Sequence, residues 1–186
     1  MSDESSLLND PEVLRELIMD HYQYPHNHEL TKDAGYQSRH MASDSCIDDI
    51  TVQSKIKDGV IQDIRFDGIA CTISTASTSM MTDLLKGKSV KEAEKIIANY
   101  FAMIENKQYD PDVLEEAVAM KNVYKQANRI KCATIGWKAM QEMIEESEAK
   151  KANGNRTNNE DEERLIYGND QDGGRVYKEG SCGNCS

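Results

Sequence analysis

Cys46 and Asp48 stand two residues apart, and residues so spaced in an extended chain point to the same side. A thiolate and a carboxylate placed that way can grip one ion. Two more cysteines fall where a thiolate is favoured. Cys71 lies in a loop at the entry to a helix, and Cys132 lies in the first turn expected of the last helix. Unpaired N–H groups and the helix dipole stabilise negative sulfur at such places. Arg129, three residues before Cys132, adds positive charge nearby. Three sulfurs and one oxygen suit a tetrahedral zinc ion, and thiolates also suit iron–sulfur clusters. Spacing alone does not decide the matter. No CxxC joins any of these three cysteines, and small buried apolar cysteines would give the same pattern.

The other candidate groups carry less. Cys182 and Cys185 form a CxxC near the end of the chain, which reads as a second thiol pair or as incidental thiols on a solvated tail. Two ligands do not close a zinc site. His21, His26, His28 and His40 could each supply a ligand, but His21 stands beside an apolar helix face and reads as packed or capping, and His26 and His28 read as loop residues. No Gly-rich phosphate loop, Ser-His-Asp set or HExxH is present.

The elements that must position the three cysteines can be read from local signals. Asn9 or Asp10 caps a helix with Pro11 in its first turn and Leu14, Leu17, Ile18 and Tyr22 on one face. Pro25 ends it, and a short strand is expected near Tyr36–His40. Ile50, Val52 and Ile56 alternate with polar residues, Asp58-Gly59 is a two-residue hairpin turn, and Val60, Ile64 and Phe66 continue the alternation to Gly68. Ile73, Ala76, Met80, Met81 and Leu84 mark a helix face that Gly87 stops. Ser89 to Glu92 is a capping box opening a helix with Ala93, Ile96, Ile97, Tyr100, Phe101 and Ile104 inward. Asp110-Pro111 starts a further helix through Val118. The last helix runs from about Arg129 to about Lys150, with Ala133, Trp137, Met140 and Ile144 inward. The expected class is α+β, with several helices packed on one side of a small antiparallel sheet. Residues 1–150 form the expected domain. Residues 151–186 are too poor in apolar side chains to offset the entropy of ordering and read as a disordered tail.

Composition bounds the partners. The 186 residues carry 38% hydrophobic and 30% charged residues and a net charge of -11. Such a surface repels nucleic acid and anionic membranes, so neither is expected as a partner. The acidic, polar first residues lack the basic start and apolar stretch of a signal peptide. The expectation is a cytoplasmic protein whose cysteines stay reduced.

Four segments stand in order and together carry a resemblance: Leu17-Ile-Met-Asp-His-Tyr22 with Pro25; Cys46-x-Asp48; Gly68-Ile-Ala-Cys71-Thr-Ile-Ser-Thr-Ala-Ser77-x-Ser-Met-Met81; and Arg129-Ile-Lys-Cys132-Ala-Thr-x-x-Trp137. Over roughly residues 10 to 148 the chain resembles the NifU/IscU-like family of iron–sulfur cluster assembly proteins, most of all its SufU branch. The resemblance implies an α+β fold with the three cysteines clustered at one exposed end. It implies Cys46, Asp48, Cys71 and Cys132 as zinc ligands, with a transient [2Fe-2S] cluster as the alternative cofactor. It further implies Arg129 beside the last ligand, Cys46 as the thiol that accepts persulfide sulfur, and a SufS-type cysteine desulfurase as partner, together with other iron–sulfur assembly proteins. On that basis the protein would be a sulfur acceptor, a possible sulfurtransferase, or alternatively a cluster scaffold. Lys131 replaces the histidine that IscU-like proteins carry before the third cysteine. Ile47 replaces the glycine usual between the first cysteine and the aspartate, and the Asn-Pro pair usual before that cysteine is missing. Asp44 and Asp49 are the alternative carboxylates.

Overall fold

The computed structural model describes residues 8–167, with side chains described as far as residue 153. Contacts divide the chain into Met1–Glu145 and Glu146–Ser186. Helix α1 is Pro11–Gln23, capped by Asp10, whose carboxylate accepts from Glu12 N. Strands β1 (Gln37–Ala42), β2 (Asp49–Lys57) and β3 (Val60–Ile69) form one antiparallel sheet in the order β1-β2-β3. Helices α2 (Thr72–Leu85) and α3 (Val90–Ile104) follow. Two 3-10 segments, Pro111–Val113 and Glu115–Lys125, lead to α4, Ala127–Tyr167. The α+β class expected from the alternation and helical periodicities is the class observed.

The hairpin turn is where the sequence put it, with Asp58 and Gly59 at φ 54° and 78°, the left-handed pair that a tight turn between twisted strands requires. The returning strand differs from simple alternation. Lys55 pairs with Asp63 but Ile56 pairs with Ile61, so Gln62 is an extra residue and the inward face switches parity there. Ile61, Ile64 and Phe66 are therefore all buried, while Val60 lies only half-buried. On α1, Leu14 and His21 are buried and Leu17 and Ile18 pack half-buried against the core, whereas Tyr22, expected inside, is exposed. The helix expected after Pro111 is wound as 3-10, with Leu114 N bonded to Pro111 O and Ala117 N to Leu114 O; Glu115 at φ 45° breaks any continuous α ladder. The last helix begins earlier than Arg129 and continues past Lys150 to Tyr167, since no proline or paired glycine interrupts it. Residues 168–186, with Cys182 and Cys185, lie outside the described residues.

Helix α2 is the centre of the domain. Eleven of its fourteen residues are buried, Ser and Thr among them. Such hydroxyls need partners inside a core. Ser77 Oγ donates to Ala133 O (2.6 Å) and accepts from Trp137 Nε1 (2.9 Å), and Tyr100 Oη donates to the same carbonyl (2.9 Å). The Tyr100 and Trp137 rings stack at 3.8 Å between centroids. This network fixes α4 against α2 and α3 one residue away from Cys132. Ser77→Ala is expected to lower stability by about 2 kcal/mol, because it leaves the Trp137 N–H without an acceptor; urea denaturation reads the loss.

A second polar cluster ties β3 to its flanks. Burial alone would raise the Asp63 carboxyl, but Lys86, Tyr36 and Arg65 outweigh it and bring its pKa from 3.8 to about 2. Tyr36 Oη and Arg65 Nε donate to Oδ2 at 2.6 and 2.7 Å. A carboxylate depressed on folding stabilises the native state above its unfolded pKa, and that contribution fades as pH falls through the folded value. The contribution is at most about 2 kcal/mol. The stability difference between the wild type and Asp63→Asn should accordingly shrink between pH 3.8 and about 2, as read by denaturation at each pH.

Candidate metal centre

Three different elements deliver the four candidate ligands. Cys46 and Asp48 sit on the irregular link between β1 and β2, closed by Ser43 N bonding to Asp48 O at 2.9 Å. Cys71 is the N-cap of α2, with Ser74 N donating to its Sγ at 3.5 Å. Cys132 lies in the second turn of α4 rather than the first, because the helix starts at Ala127, and its Sγ contacts Asn128 O at 3.9 Å. One ligand atom from each of the four lies within 4.8 Å of every other. Cys132 and Asp48 are each only 1% exposed, whereas Cys46 and Cys71 are half-buried. The site therefore has a closed floor and an open side carrying two sulfurs.

Asp48 does two things. Its Oδ1 accepts from Cys71 N at 2.8 Å, which locks the β1–β2 link onto the start of α2. Its Oδ2 is buried with no hydrogen-bond partner. An ionised oxygen left so costs free energy unless a cation meets it. The thiols give the same sign. Burial pushes the Cys71 thiol up, the Ser74 amide opposing it and Asp48 adding to it. Burial, then Asp48, Cys46 and Cys71, push Cys132 up strongly. Negative groups so crowded resist ionising together, and a bound divalent cation reverses that balance. The donor set of three sulfurs and one carboxylate oxygen is one that zinc accepts in a tetrahedral site. The residues present thus fit the metal that the spacing suggested.

Arg129 is exposed at the rim. The guanidinium is held more firmly charged by Cys71 first, then Cys132, with Cys46 contributing. Asp44 and Asp49, the alternative carboxylates, are exposed and outside the four-atom cluster; Asp49 Oδ1 instead meets His40 Nε2 at 2.8 Å. Ile47 does not adopt a positive φ, so no left-handed backbone opposes a β-branched residue in place of glycine there, and the residue is 65% exposed. Gly68 is the glycine that this region needs. It has φ +134°, and a Cβ there would lie 2.2 Å from Asp49 O.

The sequence reading did not connect His21, His26 and Asp83, which the fold brings together in a second group of donors. His26 and Asp83 are 57 residues apart and on unrelated elements, so no local signal joins them.

Among the described residues, no helix is long and apolar enough to cross a membrane. Residues 14–153 match the NifU-like N-terminal domain model. The chain is 37% identical over 137 residues to the zinc-dependent sulfurtransferase SufU of Bacillus subtilis, covering 73% of this chain and 92% of that one. It is 38% identical over 133 residues to the iron–sulfur cluster assembly scaffold protein IscU of Streptococcus pyogenes, covering 70% and 82%. Among solved structures it superimposes on a putative iron–sulfur cluster assembly scaffold protein for the SUF system from Fervidobacterium islandicum with a TM-score of 0.62 and 28% identity, covering 68% of this chain and 92% of that one. With its four candidate ligands all drawn from the matched segment, the chain belongs to the NifU-like N-terminal domain family.

Proposed function

We propose that the protein is a zinc-dependent sulfur acceptor for iron–sulfur cluster assembly, taking persulfide sulfur from a SufS-type cysteine desulfurase in the cytoplasm. The observation that carries the reading is the convergence of Cys46, Asp48, Cys71 and Cys132 on one point, with Asp48 Oδ2 buried and unpaired. These four residues would hold the metal. Zinc supplies a redox-inert charge that keeps the thiols deprotonated without oxidising them.

The residues divide the work. Cys71 is tied to α2 as its cap and Cys132 is buried in α4, so neither leaves its place without loosening a helix. Cys46 stands on the irregular link, half-exposed, and is the sulfur free to swing outward. Its thiolate attacks the terminal sulfur of the donor's cysteine persulfide. The new S–S bond forms on Cys46 as the donor's S–S bond breaks, and the donor cysteine leaves as a thiolate. Arg129 at the rim offsets the negative charge gathered there. Asp48 holds the link and α2 in register through its bond to Cys71 N.

A scaffold role for a [2Fe-2S] cluster is favoured by the likeness to IscU. Against it stands Lys131, exposed and unable to act as the ligand that a histidine would be. Anaerobic incubation with a cysteine desulfurase, cysteine and iron separates the two. A covalent gain of one sulfur on the zinc-loaded chain is the expected result. A stable visible chromophore that transfers to an apo-acceptor would replace this reading by the scaffold.

A further inference from the structure

The C-terminal end of α1, the turn that follows it, and α2 meet in a polar cluster unrelated to the cysteine centre. Cys71 and Asp83 lie at opposite ends of α2, roughly 18 Å apart along its axis at 1.5 Å per residue. One ring nitrogen each from His21 and His26 and one carboxylate oxygen of Asp83 lie within 4.8 Å of one another. We propose that His21, His26 and Asp83 form a second binding site for a divalent first-row metal ion, for which zinc is the natural probe.

The donors are held as metal ligands usually are, by a surrounding shell of hydrogen bonds. Glu116 Oε2 lies 3.0 Å from His21 Nε2. An ionised carboxylate can only accept, so Nε2 carries the proton and the Nδ1 lone pair is left to bind. Nδ1 lies 2.8 Å from Ser79 Oγ, a buried hydroxyl contact whose place a cation would take. Ser79 Oγ also accepts from His26 N at 2.8 Å, which sets the backbone from which the His26 ring projects. Asn27, at φ 53°, turns the chain and donates from Nδ2 to Asp83 Oδ1 at 3.2 Å and to Thr82 Oγ1 at 2.9 Å. That leaves Asp83 Oδ2 facing His26 Nδ1 at 2.5 Å. The cation takes the place of the proton shared by that pair. Donors around a tetrahedral zinc stand on the order of 3.3 Å apart. His26 and Asp83 have side chains 51% and 44% exposed, so they can part to that spacing and an ion can reach them. His21, only 2% exposed, is the fixed ligand beneath. Two imidazoles and a carboxylate are a donor set that zinc accepts, with solvent completing the sphere.

This site stands independently of the cysteine reading, and one experiment separates them. The full chain, His26→Ala and Asp83→Asn are each equilibrated with excess zinc, freed of unbound ion and analysed for metal. In parallel, cobalt(II) is loaded instead of zinc, and its thiolate-to-metal absorption reports the cysteine centre alone. Each variant is expected to retain about one zinc fewer than the wild type, with the thiolate absorption unchanged in all three proteins. Equal zinc content in all three would overturn the proposal. So would a loss accompanied by loss of the thiolate absorption, which would place the missing ion among the cysteines. Zinc binding that depends on His26 in a protein lacking any thiolate absorption would support this site and refute the cysteine centre.

Discussion

Cys46→Ala is expected to lower sulfur acceptance at least about a hundredfold while leaving the fold intact. The reasoning rests on where the three cysteines sit. Cys132 is buried in α4 one residue before Ala133, whose carbonyl is bound by Ser77 and Tyr100, so its removal disturbs the core. Cys71 caps α2, and removing a cap costs about 1 kcal/mol even where no chemistry is involved. Cys46 has neither duty, since it stands on the irregular link and outside the hydrophobic core. Its loss should change the stability of the metal-free chain by less than about 1 kcal/mol. The measurement is the mass of the chain after incubation with a desulfurase and cysteine, beside a thermal melt of the metal-free proteins. A Cys46→Ala protein that still gains sulfur at the wild-type rate would move the acceptor role to Cys71 or Cys132.

Gly68→Ala is expected to be the most damaging small substitution, lowering stability by about 3 kcal/mol or more and weakening the metal site with it. Gly68 pairs with Ile50 across the β2–β3 ladder at φ +134°, a conformation that side chains oppose. An added methyl would meet Asp49 O at 2.2 Å and Ile50 Cα at 2.8 Å. Both are backbone atoms, so relief requires the strands to part. Asp49 follows Asp48 directly, and Gly68 lies three residues before Cys71, so the movement pulls apart two of the segments that carry candidate ligands. The shift of the urea midpoint and zinc retention after dialysis read the two effects together. Wild-type values for both would show that the close approach at Gly68 does not position the site.

The features legible in the sequence are those whose cause is local. Asp10 with Pro11, the Asp58-Gly59 turn and the reciprocal cap between Ser89 and Glu92 each depend on a few neighbouring residues, and each is present as expected. Features set by tertiary contact were less visible. The extra residue at Gln62 moves Ile61 inward against the simple alternation. His21 rather than Tyr22 turns to the core because Ser79 and Glu116 on other elements satisfy both its nitrogens. Glu115 at a positive φ interrupts the segment after Pro111, which is wound as 3-10 where propensity alone favours an α-helix. The site falls between these cases. The positions of Cys46, Cys71 and Cys132 in the sequence do not show that they meet, and it was the motifs around them that pointed to one centre. The fold brings the four donor atoms within 4.8 Å. The second cluster, of His21, His26 and Asp83, had no such motif.

The most direct test of the central claim is X-ray absorption at the zinc edge on the untagged chain loaded with one equivalent of zinc. The expected result is a shell dominated by sulfur, about three sulfurs at roughly 2.3 Å and one oxygen near 2.0 Å, from Cys46, Cys71, Cys132 and Asp48. A shell of nitrogen and oxygen alone would contradict it, since zinc would then have passed over the cysteine centre.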